Sequence, residues 1–80
     1  MPRPQPEFDD DDIDTARRKG EQLALQKFQA NEPLKLDEEA AMAMSEEAFP
    51  AHTERQRKAY GFEIKDAAER LYDKLKGLAS

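Results

Sequence analysis

His52 is the chain's one histidine, and with no cysteine present it is where acid–base or nucleophilic chemistry would have to start. An imidazole titrates near neutral pH and is the most frequent general base. In catalysis it needs a carboxylate to orient it and a nucleophile within reach. His52 follows Pro50 in a polar stretch that marks neither. Ser45 and Ser80 have no motif around them. The expectation is therefore an exposed histidine in a loop or first helical turn, no catalytic residue, and a protein that is not an enzyme.

Carboxylates are the other abundant chemistry. Asp9, Asp10, Asp11 and Asp12 are consecutive, without the alternating spacing and the glycine of a calcium-binding loop. No metal is expected there. Gly20, Gly61 and Gly77 are isolated, so no glycine-rich phosphate loop exists and no cofactor is expected.

The charged residues raise two nucleic-acid readings. Arg17-Arg18-Lys19 and Arg55, Arg57, Lys58 form basic triplets, but the chain carries a net charge of −5. A DNA-binding domain normally carries a basic balance, so direct nucleic-acid binding is not expected. In the opposite reading, Asp9–Asp12, Asp14, Glu38, Glu39, Glu46 and Glu47 stand in for phosphates. An acidic inhibitor of a nucleic-acid-binding protein, of the DNA-mimic kind found in phages and plasmids, is the alternative function. A small DNA-binding regulator ranks third.

These residues must be held by helices, because little else fits the composition. Ile13, Thr15, Thr53 and Ile64 are the only β-branched residues, and no segment alternates apolar and polar with period two. Three prolines within residues 1–8 imply an extended start, and residues 1–12 are expected to be a disordered Pro-rich, acidic arm. Asp12 is the expected cap of a first helix over about 13–30. On that helix Ile13, Ala16, Gly20, Leu23, Ala24 and Phe28 share one face. Gly20 at the centre of the face suggests the close approach of another backbone. Asn31 suits the left-handed position that ends a helix, with Pro33 beyond it.

Asp37 reads as the cap of a second helix over 38–49, with Leu36 before it as a staple residue. A third helix over 51–76 is expected to kink or break near Gly61 and to stop at Gly77. If it instead passes straight through Gly61, Phe62 lies nearly opposite the main stripe and offers a second apolar contact. That stripe holds Tyr60, Ile64, Leu71, Tyr72, Leu75 and Leu78.

Residues 13–80 thus form one all-α domain, a helical hairpin or three-helix arrangement. Only 13 of 80 residues are Leu, Ile or Phe, and valine is absent. So short a supply of large side chains suggests completion by a second chain. The expected function is that of a non-enzymatic protein–protein interaction or regulatory protein acting through the amphipathic C-terminal helix, with a protein partner or itself as a homodimer. Asp9–Asp12, Glu46 and Glu47 would form an acidic surface. No apolar run approaches a membrane span, and the proline-rich start does not resemble an export signal, so a cytoplasmic location is expected.

Overall fold

The computed structural model describes residues 8–79. They form three α-helices and, among the described residues, no strand: α1 (Asp10–Gln29), α2 (Glu38–Ala48) and α3 (Glu54–Ala79). The all-α class and the three-helix arrangement are as expected. Cross-helix contacts give the topology. Arg17 meets Glu63, Gly20 lies on Ile64 and Ala68, and Phe28 meets Tyr72, so α1 and α3 run parallel. Gly61 lies on Ala41, and Ser45 bonds to Arg57, so α2 runs antiparallel to both. α3 is the wall that the other two share. No helix among the described residues is long and apolar enough to cross a membrane.

Local chemistry sets the helix ends. α1 starts earlier than expected. Asp9, not Asp12, is the cap, its carboxylate accepting the Asp11 N–H at 2.8 Å. Asp10, Asp11 and Asp12 then fill the first turn, where unpaired N–H groups and the helix dipole favour negative charge. The helix therefore takes in three residues assigned above to the arm; residues 1–7 of that arm lie outside the described residues. At the other end Asn31 adopts φ 58°, with Glu32 N–H donating to Lys27 O and Asn31 N–H to Phe28 O. This is a Schellman motif, with asparagine in the left-handed position.

α2 is capped by Asp37, which accepts from Ala40 N–H at 2.7 Å. Leu36 before the cap and Ala41 after it are both buried in one cluster, as a hydrophobic staple requires. α3 begins at Glu54, three residues later than expected, because Thr53 and Gln56 form a reciprocal capping box. The Thr53 hydroxyl accepts the Gln56 N–H, and Gln56 Oε1 accepts the Thr53 N–H.

α3 does not break at Gly61, nor does it stop at Gly77. Both glycines keep negative φ and the helix runs on to Ala79. Gly61 has a packing reason. A Cβ there would stand 3.3 Å from the Ala41 carbonyl oxygen, so the absent side chain lets α2 close on α3. Gly20 makes a tighter version of the same contact. A Cβ on it would overlap the Ile64 carbonyl oxygen and come within 3.0 Å of Ala68 N. Ala16 and Ala24, one turn to either side, are fully buried. The scarcity of large apolar residues is thus met inside the chain, by drawing helix backbones together around Tyr60 and Ile64.

Candidate functional site

The stripe expected to meet a partner is divided by the fold. Tyr60 and Ile64 are enclosed by the chain itself, at 1% and 0% exposure, so they are core residues and not a contact surface. Tyr72 is half-buried; its ring packs edge-on to Phe28 and its hydroxyl donates to the Glu32 carbonyl at 2.7 Å. Leu71 and Leu75 are half-buried, and Leu78 is exposed. The physical reason is the parallel placement of α1. Its small-residue face covers the N-terminal half of the stripe and leaves the last turns of α3 uncovered.

His52 is the larger correction. It is half-buried, and its Nε2 lies 2.9 Å from Asp12 Oδ2, forty positions away in sequence. The Tyr60 hydroxyl accepts the Asp9 N–H at 3.2 Å and faces the same Asp12 oxygen at 3.5 Å. Phe49 packs against both rings, with centroids 4.7 Å from Tyr60 and 5.1 Å from His52, and Phe8 meets Tyr60 edge-on. Burial, with the nearby charges of Asp12 and Asp9 adding to it, pushes the Tyr60 phenol above its ordinary value, against the opposing Asp9 N–H bond. The orienting carboxylate that the sequence did not mark is therefore Asp12.

A nucleophile within this cluster is another matter. The Ser45 hydroxyl is fully buried and donates to the Arg57 carbonyl. Among the described residues no three His, Cys, Asp or Glu side chains are grouped to hold a metal ion. The cluster ties the first turn of α1 to the α2–α3 turn and to the core tyrosine.

Part of the acidic run is taken up by the fold itself. Asp9 is occupied as a cap and Asp12 by His52, while Asp10, Asp11, Glu46 and Glu47 are exposed. Because α2 is antiparallel to α1, both acidic groups lie at the end of the bundle where α3 begins. Arg55, Arg57 and Lys58 begin there too, so that end carries both signs. Arg17 pairs with Glu63 at 3.1 Å.

The remaining feature is apolar. Phe62 is 68% exposed, and beside it α2 and α3 form a groove of about 430 Å³ floored by Ala41, Met42 and Gly61. Its rim carries Glu38, Glu39, Glu54, Lys58 and Lys65. The groove exists because the Gly61–Ala41 contact draws α2 and α3 together without a side chain to fill their seam. Its signal in the sequence was the phase of Phe62 on an unbroken helix. The Asp12–His52 pair had no such signal, since only the tertiary topology joins them. No protein-family model, curated protein or solved structure matches the chain.

Proposed function

We propose that this chain is a non-enzymatic helical protein that works by binding a protein chain, and that its contact surface is the α2–α3 face around Phe62. The observation that carries the proposal is the exposure of Phe62. Four phenylalanines are available to a chain poor in large apolar residues, and one stands in solvent beside an unfilled apolar groove. Aromatic anchors surrounded by a polar rim are the usual energetic centre of protein interfaces. The C-terminal turns of α3 carry Leu71, Leu75 and Leu78, but the cavity of about 560 Å³ that Leu71 lines is walled mainly by charged side chains, Arg17, Glu21, Glu63, Asp66, Arg70 and Lys74. The His52–Asp12–Tyr60 cluster fits the same reading, since its contacts tie the first turn of α1 to the α2–α3 turn and to the core tyrosine.

The test is affinity capture from the native host by the tagged full chain and by its Phe62→Asp variant, with circular dichroism to confirm equal helicity. A partner, whether another protein or an untagged copy of this chain, should be retained by the first and lost by the second. Identical capture by both would reject the Phe62 face as the contact surface.

A further inference from the structure

We infer that the Phe62 face is a two-fold self-association surface, the occupant of each groove being the Phe62 ring of a second copy of this chain. The inference rests on the preceding proposal and names its partner. Three observations carry it. First, Phe62 lies beside the Ala41–Met42–Gly61 floor and stays 68% exposed, so it does not fill its own groove. A two-fold axis near Phe62 brings each ring to the other copy's groove, because in a two-fold contact the same patch serves both sides and every pairing occurs twice.

Second, the rim carries both signs: Glu38, Glu39 and Glu54 against Lys58 and Lys65. A partner of uniform charge would be repelled by part of that rim. With the two-fold axis along the α2–α3 seam, the second copy's Lys65 faces Glu38 and Glu39 here and its Glu38 and Glu39 face Lys65 here, because these residues lie at one level of the two antiparallel helices.

Third, the rim charges are available. Among the described residues Glu38, Glu39, Glu54 and Lys58 make no side-chain hydrogen bond or ion pair within the chain, whereas Lys65 reaches Glu69 at 2.7 Å. Glu39, Glu54 and Lys58, around one exposed aromatic ring, are thus left for contacts across the interface, while Glu38 also acts on Lys65 within the chain. The antiparallel α2–α3 pair, doubled by the two-fold, gives a four-helix arrangement with the two rings at its centre, a common way for short helices to bury an apolar face.

Sedimentation equilibrium of the full chain, from micromolar to millimolar concentration, tests this. The wild-type chain should dimerise, and Phe62→Asp should raise the dissociation constant by at least about thirtyfold, the loss expected of a central aromatic anchor. Two rim variants refine the test: one carries Glu38→Lys, Glu39→Lys and Glu54→Lys, the other Lys58→Glu and Lys65→Glu. Each should be more monomeric than wild type alone, and their equimolar mixture should form a heterodimer. A wild-type chain that stays monomeric to millimolar concentration overturns the inference, as does a dimer that survives Phe62→Asp. If the chain is monomeric yet captures another protein in a Phe62-dependent way, the self-association falls and the interaction proposal stands. If Phe62→Asp changes neither self-association nor capture, both fall.

Discussion

Replacing Gly20 with alanine sets two effects of opposite sign against each other. In an exposed helix interior the change stabilises by about 1 kcal/mol, because alanine has the higher helix propensity. At this position the new methyl group would overlap the Ile64 carbonyl oxygen and crowd Ala68 N at 3.0 Å. Both atoms belong to the α3 backbone and cannot rotate away, so α1 must withdraw. Withdrawal also loosens the contacts of Ala16 and Ala24, which are fully buried on the same face. Overpacking typically costs about 1–3 kcal/mol, and a backbone obstacle puts this site at or above the upper end. The net expectation is destabilisation by about 2 kcal/mol, a large part of the stability of so small a domain. The other glycines calibrate the result. At Gly61 the nearest atom would be 3.3 Å away, so a shift of a few tenths of an ångström offsets the propensity gain and Gly61→Ala should be near neutral. At Gly77 nothing lies within 4 Å, and Gly77→Ala should stabilise by several tenths of a kcal/mol up to about 1 kcal/mol. Urea unfolding followed by far-ultraviolet circular dichroism gives all three values. A Gly20→Ala chain as stable as wild type would refute the close α1–α3 approach, whatever the other two did.

Other outcomes follow from the caps and the aromatic cluster. Thr53→Ala removes the hydroxyl half of the α3 capping box and should cost about 1 kcal/mol in the same assay; no loss would mean that α3 does not start there. The Tyr60 phenol is raised in the fold above 10.0, its ordinary value. Its neutral form therefore supports the fold fully below that value, and this support is lost as pH rises through the higher folded one, since the unfolded chain ionises first. Alkaline unfolding should shift to higher pH in Tyr60→Phe, although that variant should lose about 1 kcal/mol at neutral pH with its hydrogen bonds; an unchanged alkaline profile would count against the burial of the phenol. A double-mutant cycle of His52→Ala and Asp12→Ala should give a coupling of up to about 1 kcal/mol, the range for a partly exposed side-chain hydrogen bond. Additive effects would mean that the two side chains do not meet in solution.

Short-range chemistry was readable from the residues alone. Asp37 as a cap, Leu36 as its staple, Asn31 in the left-handed position and Gly20 as a contact point all act within a turn or through one missing side chain. The Thr53–Gln56 box obeys the same kind of rule, and with it the start of α3 could have been placed correctly. Gly61 and Gly77 were harder. A glycine lowers helix propensity wherever it stands, and only the neighbouring α2 backbone distinguishes a packing glycine from a helix breaker. The division of the Tyr60–Leu78 stripe was not readable, because an amphipathic face has the same pattern whether its cover is an internal helix or a second chain. Asp12 and His52 were joined only by the parallel course of α1 and α3, which periodicity does not encode.

The most direct measurement of the central claim is a concentration series of amide proton–nitrogen NMR spectra on the full chain, from low micromolar to millimolar. Association through the α2–α3 face predicts shifts concentrated at residues 38–42 and 58–65, with the amides of Leu71, Leu75 and Leu78 and of Gly20 on α1 unmoved. Shifts confined to residues 71–78, or spectra that do not change with concentration, would contradict it.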